Sequence, residues 1–307
     1  MSDGERDGFR KAIDGALEIL QGYARAVPVA QIPDQPLPGL LAQCRQLVDA
    51  SARSGPAPIR TLHHLACTGG TLIARCVAAM PNVRLLSEVD PLSTLPRNLT
   101  FVPSDVVRLA RFGSRPVEQQ TEIAIFHAGL EVVRHDSAIT GLDLVLRDHS
   151  HSLFHLGDTV AERPTLREIL AREAALRSLV TVRHPLDSFL SLRVCGWDKH
   201  FAPSILDEYA RRYHLFLDRH AGLEILRYED LLAEPADTMR RICDILDLAY
   251  AESFLQTFQA IQLSGDSGRG GQVLAPHPRR AVEPDLELQR STSVAYARLC
   301  ERLGYES

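Results

Sequence analysis

The sequence predicts an α/β protein, a three-layer sandwich in which helices cover both faces of a central parallel sheet. Short apolar runs such as LDLVLRD at 142–148 and SLVTVR at 178–183 end in charge, as buried parallel strands do. Segments with helical periodicity alternate with these runs. The chain has 307 residues, 45% of them hydrophobic and 24% charged, which is enough to bury a sizeable core.

The N-terminal section differs from the rest of the chain. Residues 5–26 have apolar positions at helical spacing, and a second helix is expected at 38–53. The stretch SGPAP at 54–58 then separates this section from the first predicted strand. We therefore expect a helical N-terminal extension at 1–55 and one large domain at 56–307.

The elements of the large domain follow one another as repeated strand–helix units. Strands are predicted at 59–66, 83–87, 142–148, 178–183 and 223–228. Helices are predicted at 71–80, 103–112, 117–135, 185–194, 204–219, 235–247 and 285–303. Residues 264–284 are rich in glycine and proline, which predicts a long loop.

Composition excludes several classes of protein. The net charge of −5 is unlike that of a general nucleic-acid binder. The sequence has no apolar run long enough for a membrane span and no apolar signal-type start, so we expect a cytoplasmic protein. Six cysteines without C-x-x-C spacing are typical of reduced thiols rather than of a disulfide framework or zinc knuckle. The sequence does not indicate an oligomeric state.

The stretch ACTGGT at 66–71, called the phosphate loop below, joins the first strand to a helix. Such a turn directs backbone N–H groups and the positive end of the helix towards one point, where an anion binds. The predicted anion-binding residues are Thr68, Gly69, Gly70, Thr71 and Leu72. An ordinary capped strand–helix turn is the alternative. The lysine of nucleotide-hydrolysing loops is missing, which weakens the interpretation of this stretch as the loop of a nucleotide hydrolase.

The stretch VRHPLDSFLSL at 182–192 predicts a second contact with phosphate. Arg183 ends a strand, Pro185 begins a helix and Ser191 lies two turns along it. Arg183 and Ser191 are therefore placed to hold one phosphate group. A structural ion pair between Arg183 and Asp187 is the alternative.

These motifs, in this order, resemble those of sulfotransferases that depend on 3′-phosphoadenylyl sulfate (PAPS). LRYEDLLAEPADTMRRICDILDL at 226–248 is similar to the family's strand–YEDL–helix segment, and LSGDSGRGG at 263–271 to its late glycine-rich loop. The resemblance spans roughly 60–272 and implies a P-loop nucleotide-binding fold. It also implies that Arg183 and Ser191 hold the 3′-phosphate of PAPS and that the phosphate loop holds the 5′-phosphosulfate. Arg269 in the glycine-rich loop is expected to add a second cation for the 3′-phosphate, and a flexible, solvent-facing loop is the alternative.

The same resemblance implies the reaction. A sulfuryl group would pass from PAPS to a hydroxyl, less often an amine, of a small-molecule, glycan or lipid acceptor, releasing adenosine 3′,5′-bisphosphate without a metal. In LVLRDHSHSLFHLG at 144–157, His149 is the expected base and Arg147 the group that stabilises the transferring charge. Asp148 and His151 compete for the base role. A metal site formed by Asp148, His149, His151 and His155 is another possibility, as is a purely structural turn.

The phosphate loop departs from the family pattern at Cys67, which stands where the family has a cation. Arg147 is the first candidate to replace that charge, ahead of Lys199 and Arg75. A reactive role for the Cys67 thiol at a helix N-terminus is an alternative. His63 and His64 precede the loop, and since neighbouring strand residues point to opposite faces, at least one should be a core histidine.

Two other functions stay open at this point. One is a P-loop kinase or nucleotide hydrolase with Asp148 as magnesium ligand. The other is a non-catalytic nucleotide-binding scaffold with the same fold, which the Cys67 departure would suit.

Overall fold

Five parallel strands form the central sheet of the computed structural model, which describes residues 57–94, 102, 104–264, 274–276 and 278–307. The strands are β1 (Ile59–His63), β2 (Val83–Val89), β3 (Asp143–Asp148), β4 (Leu176–Val182) and β5 (Glu224–Arg227). Their order across the sheet is β2-β3-β1-β4-β5. The predicted extension at 1–55 and Arg269 lie outside the described residues.

Helices connect the strands. They are α1 (Gly70–Ala78), α2 (Val106–Arg111), α3 (Gln119–Ile139), α4 (His151–Phe154), α5 (Leu166–Leu170), α6 (Pro185–Cys195), α7 (Leu206–Arg219), α8 (Tyr228–Ala233), α9 (Pro235–Leu246), α10 (Phe254–Thr257), α11 (Pro284–Thr292) and α12 (Val294–Leu303). Short 3-10 turns occupy Trp197–His200 and Phe258–Ala260. No described helix has the length and apolarity needed to cross a membrane.

Both faces of the sheet are covered, which confirms the predicted three-layer α/β fold. Leu62, Val145 and Leu179 point to one face and pack with the apolar sides of α1 and α9. Their neighbours in the strands point to the other face, because successive strand residues alternate. That face packs against α3 and α5 at one side and against α6, α7 and α12 at the other.

The predicted helices differ from the structure mainly at their ends. The helix expected at 103–112 is shorter, at Val106–Arg111, and begins where the Asp105 side chain accepts from Arg108 N. The single helix expected at 285–303 is two helices, because Ser293 is extended and its hydroxyl caps the second one by accepting from Tyr296 N. Helices α4, α5, α8 and α10 are four to six residues long, too short to show a helical period in the sequence.

The strand order places the phosphate loop at the centre of the fold. β1 lies between β3 and β4, so the chain goes to one side of β1 first and to the other side later. In open parallel sheets, ligands bind beside the carboxyl ends of the strands where the order reverses in this way. The residues that follow β1, β3 and β4 therefore meet at one edge.

Candidate active site

The phosphate loop has the backbone of a tight turn that leads into α1. Cys67 has a φ of 64° and Gly69 a φ of 86°, both left-handed, and Gly69 is the N-cap of α1. Left-handed backbone is disfavoured for a residue with a Cβ, so Cys67 carries strain that the loop imposes. Among the described residues no side chain caps this helix end, which leaves it available to an anion.

Two of the predicted loop contacts are already used inside the protein. The hydroxyl of Thr68 is buried and donates to Leu65 O at 2.8 Å, and the backbone N–H of Leu72 donates to Gly69 O at 3.0 Å. The Thr68 hydroxyl and the Leu72 N–H thus have partners within the protein. The other predicted donors are the backbone of 68–71 and the hydroxyl of Thr71.

Both glycines of the loop are required by neighbouring rings. A Cβ on Gly69 would lie 2.1 Å from the ring of Tyr228, and a Cβ on Gly70 would lie 2.3 Å from the imidazole of His64. The glycines thus let two side chains close on the loop from either side. Tyr228 belongs to the YEDL segment at the start of α8.

Arg147 supplies positive charge beside the loop. Its Nη2 donates to Thr71 Oγ1 at 2.9 Å and its Nε to His64 Nε2 at 2.8 Å, and its side chain is buried. The structure thus places Arg147, the first candidate for the missing cation, at the N-terminus of α1. Of the other two candidates, Lys199 is exposed in a 3-10 turn and Arg75 lies in the last turn of α1.

His64 positions Arg147 rather than reacting itself. Burial, helped by the charge of Arg147, lowers the pKa of His64 to about 3, so the imidazole is neutral. Its Nδ1–H donates to Leu65 O at 3.0 Å, which leaves Nε2 as the acceptor for Arg147. Sequence reasoning placed His64 close to the site without assigning it this contact.

Arg183 and Ser191 meet beside the phosphate loop. Arg183 Nη1 donates to Cys67 O at 3.3 Å and to Ser191 Oγ at 3.4 Å. The guanidinium also lies over the ring of Tyr228, 5.2 Å from its centroid. Asp187 pairs with Arg279 instead, at 2.8 Å, so the alternative of a structural Arg183–Asp187 pair is wrong.

His149 pairs with a carboxylate that sequence reasoning missed. Its Nε2 lies 3.2 Å from Oε2 of Glu88, near the end of β2, and Glu88 Oε1 lies 2.7 Å from Arg147 Nη1. Burial raises the pKa of Glu88 to about 7 and lowers that of His149. With Nε2 held by Glu88, the Nδ1 of His149 faces Ser93 Oγ at 3.4 Å. The sequence signal that could have indicated Glu88 is its position, as a charged residue directly after the strand predicted at 83–87.

Asp148 points into the core, away from His149. Its carboxylate accepts from His63 Nδ1 at 2.8 Å and from Ser150 Oγ at 2.7 Å, and it is 4% exposed. These bonds hold the pKa of Asp148 below its ordinary value against the effect of burial. Neither a base role nor the magnesium-ligand role considered for Asp148 fits this placement. His63 is the core histidine expected before the loop.

The structure also separates the four residues considered as a metal site, which are Asp148, His149, His151 and His155. Asp148 joins His63 and His220 in a buried cluster, whereas His149 and His151 face Glu88 with ligand atoms within 4.8 Å of one another. His155 belongs to neither cluster. The rings of His149 and His151 touch edge to face, with centroids 3.9 Å apart.

Two cavities adjoin the histidine pair. One, of about 390 Å³, is lined by Glu88, His149 and several charged residues. The other, of about 220 Å³, is largely apolar and is lined by His151 and His155. A larger cavity of about 630 Å³ lies at the amino-terminal starts of β4 and β5, at the opposite edge of the sheet from the loop.

Cys67 lies close to a second thiol. Its Sγ is 4.0 Å from that of Cys195, which itself donates to Ser191 O at 2.9 Å. Cys67 is half-buried and packs against an apolar cluster. Its reactive role stays a prediction.

Comparison with known proteins gives one family. A sequence model described as "Sulfotransferase family" matches residues 65–252. No curated protein shows significant sequence similarity to the chain.

Solved structures with a similar chain path are also sulfotransferases. The sulfotransferase domain from the curacin biosynthetic pathway is 17% identical, with a TM-score of 0.47, covering 82% of this chain and 98% of its own. The sulfotransferase domain from the Synechococcus PCC 7002 olefin synthase is 21% identical, with a TM-score of 0.46, and the match covers 82% of this chain and 96% of that domain. Mouse sulfotransferase SULT7A1, solved with PAP, is 11% identical, with a TM-score of 0.43, covering 82% and 92%.

Proposed function

Because the chain belongs to the sulfotransferase family, we propose that it transfers a sulfuryl group from PAPS to a hydroxyl group of a small acceptor. The observation that carries the proposal is the contact of Arg183 with both Cys67 O and Ser191 Oγ. This contact brings the two motifs predicted to hold phosphate to one place, although more than a hundred residues separate them in the chain.

The donor would bind along the edge of the sheet. The backbone of 69–71 and the Thr71 hydroxyl face the open end of α1, where the helix dipole favours an anion. Arg183 and Ser191 would hold the 3′-phosphate. Arg147 is close enough to Thr71 to neutralise charge on the leaving phosphate, and charge-assisted hydrogen bonds of this kind are the strong ones.

The acceptor hydroxyl would lose its proton to His149. In the transfer the acceptor oxygen bonds to sulfur as the bond between sulfur and the phosphate oxygen breaks. Ionised Glu88 accepts from Nε2 of His149, so the lone pair is on Nδ1. An acceptor hydroxyl within hydrogen-bond reach of Nδ1 would donate its proton there.

Arg183→Ala tests the donor site. We expect the affinity for adenosine 3′,5′-bisphosphate, measured by titration calorimetry, to fall about 10- to 100-fold, the effect of losing a charged hydrogen bond. Arg193→Ala is the matched control, because Arg193 lies in the helix that follows Arg183 but pairs with Glu283 and Asp285 at the surface. Unchanged bisphosphate affinity in Arg183→Ala would contradict the assignment of the 3′-phosphate.

Transfer of labelled sulfate from PAPS to a panel of acceptors separates this function from its rivals. Tight bisphosphate binding without transfer to any acceptor would favour the non-catalytic scaffold. Magnesium-dependent ATP turnover without bisphosphate binding would favour a kinase or nucleotide hydrolase, which the inward orientation of Asp148 disfavours.

A further inference from the structure

The cavity of about 220 Å³ lies beside the phosphate loop, between helix α6 and the segment that follows α4. Ala66, Leu156 and Leu192 make its walls mainly apolar. Ala66 is the residue before Cys67, so the cavity opens directly beside the proposed donor site. Apolar pockets with a few polar groups are the usual form of small-molecule sites.

One polar group in this cavity is unexplained. His155 is 2% exposed, and neither ring nitrogen has a hydrogen-bond partner among the described residues. Burial lowers the pKa of His155 to about 3, so the ring is a neutral imidazole with one donor and one acceptor. Buried polar groups are nearly always paired, and an unpaired one costs stability. The ring is therefore suited to a neutral partner, since a charged one would lose its hydration in an apolar pocket.

The segment that carries His155 is held rigidly. Arg212 of α7 is buried and donates to the carbonyls of Phe154, Leu156, Gly157 and Asp158, at 2.9 to 3.3 Å. Its Nε donates to Glu208 at 2.7 Å. A binding group fixed by such supporting contacts is already oriented before a ligand arrives.

The cavity also has flat walls and a limited size. The rings of His151 and Trp197 both line it and are parallel within 7°, with centroids 6.3 Å apart. Parallel ring faces favour a planar ligand. A cavity of about 150 Å³ is enough to hold benzene, so this one has room for a single substituted ring.

We propose that this cavity holds the acceptor, and that the acceptor is a small, mainly apolar alcohol with a second neutral polar group that hydrogen-bonds to His155. The inference rests on the proposed function. The reacting hydroxyl would lie beside the ring of His151, which lines the cavity and touches the ring of His149, and the second group beside His155. His155 is then a specificity-determining residue rather than a catalytic one.

The test compares two probes that differ by one hydroxyl, 1,4-benzenedimethanol and 4-methylbenzyl alcohol. Calorimetry is performed on the full chain, with and without adenosine 3′,5′-bisphosphate. We expect the wild-type protein to bind the diol about 2- to 10-fold more tightly, the value of one hydrogen bond. In His155→Phe the two probes should bind equally. Equal binding in the wild type, or a preference that persists in His155→Phe, would overturn the proposal.

Two further variants keep the test decisive. His220→Phe is the matched control, because His220 is equally buried but does not line the cavity, and it should keep the preference for the diol. Should His155→Phe fail to fold, Leu156→Trp decides, since it fills the cavity from its half-buried rim and should abolish diol binding. If the Leu156→Trp variant binds the diol as tightly as the wild type does, the proposal that this cavity holds the acceptor is overturned.

The same titrations separate this proposal from the proposed function. If the protein binds the bisphosphate but shows no preference between the probes, the acceptor pocket is rejected and the proposed function stands. A preference for the diol that depends on His155, without bisphosphate binding, rejects sulfuryl transfer but keeps a small-molecule site. An ordered water that fully satisfies His155 would appear as equal binding of both probes, because neither would need the imidazole.

Discussion

The tautomer of His149 follows from its contact with Glu88, a residue with a strained backbone. Glu88 has a φ of 62°, which is left-handed and unfavourable for a residue with a side chain. Glu88 lies within the register shift between Leu86 and Val89 of β2, where its carboxylate contacts Arg147 and His149. Strain of this kind is retained when the surrounding structure fixes it, often at a functional site.

His149→Ala should lower the rate of sulfuryl transfer about 10²- to 10⁴-fold, the usual contribution of a general base. Bisphosphate affinity should not change, because His149 contacts neither the loop backbone nor Arg183. Steady-state rates and calorimetry on the same preparations measure both. His151→Ala serves as the comparison, and a larger loss of rate there would reassign the base to His151.

The pH dependence of the rate follows from Glu88. Its pKa of about 7 means that the carboxyl loses its proton near neutral pH. Protonated Glu88 can donate its O–H to His149 Nε2, whereas ionised Glu88 can only accept there and leaves the lone pair on Nδ1, so kcat/KM should rise with pH through an inflection near 7. Glu88→Gln, which keeps the shape of the side chain, should remove that inflection. The same pKa, raised above its ordinary value, means that ionisation of Glu88 lowers the folding stability as pH rises from about 4.5 to 7.

The junction between β1 and α1 is the element on which the proposed donor site depends. Gly70 starts the helix with the imidazole of His64 against it, and that imidazole holds Arg147 Nε. The helix start, His64 and Arg147 are thus packed against one another in sequence. Any side chain at position 70 must displace His64 and with it Arg147.

Gly70→Ala should therefore destabilise the protein by about 1–3 kcal/mol, the usual cost of overpacking, and should weaken bisphosphate binding. Chemical denaturation and calorimetry measure the two effects. Gly129→Ala in α3 is the control, since a Cβ there meets nothing within 4 Å. It should instead stabilise the protein by about 0.5–1 kcal/mol through helix propensity. Equal stability of the two variants would show that the His64 contact is unimportant.

The sequence predicts well those elements that have a regular pattern of apolar residues or a residue typical of a helix end. All five strands and the helix that begins at Pro185 were predicted at nearly their observed positions, because buried parallel strands are continuous apolar runs and proline favours the first turn of a helix. The short helices α4, α5, α8 and α10 were missed because tertiary contacts, not a local period, determine them.

The same limit applies to the site. Arg147, Arg183 and Ser191 could be singled out because each lies at a strand end or at a fixed spacing from one, and the structure places all three beside the phosphate loop. Glu88 was missed because an irregularity in strand pairing orients it, and no single-sequence pattern reveals such a shift. The Thr68 hydroxyl was assigned to the anion because the sequence does not show which way a loop hydroxyl turns. It forms a local turn with Leu65 instead.

Across the whole molecule, Arg212 joins the helical layer to the segment that carries His155. Its side chain is 2% exposed. The guanidinium donates five hydrogen bonds, four to backbone carbonyls and one to Glu208. Removal of one member of such a buried network leaves the others without partners. The stability of the domain should therefore depend strongly on this residue.

Arg212→Met should destabilise the domain by about 3–5 kcal/mol, the usual cost of breaking a buried pair. Arg211→Met is the matched control. Arg211 is the preceding residue and also pairs with an acidic residue one turn away, but its side chain is 68% exposed. Exposed ion pairs contribute little to stability, so this variant should remain close to the wild type. Denaturant unfolding of both variants under the same conditions gives the comparison, and similar midpoints would contradict the argument.

The central position of β1 has a consequence for the order in which the chain folds. The neighbours of β1 are β3 and β4, both far downstream, and the strand has no nearby partner in the sequence. A growing polypeptide that has passed the phosphate loop therefore cannot yet pair β1, whose partners are β3 and β4. Long-range parallel pairing of this kind is slow, because loop-closure entropy must be overcome before any contact forms. The proposed donor site is thus encoded early in the chain, and the strands that flank it are synthesised later.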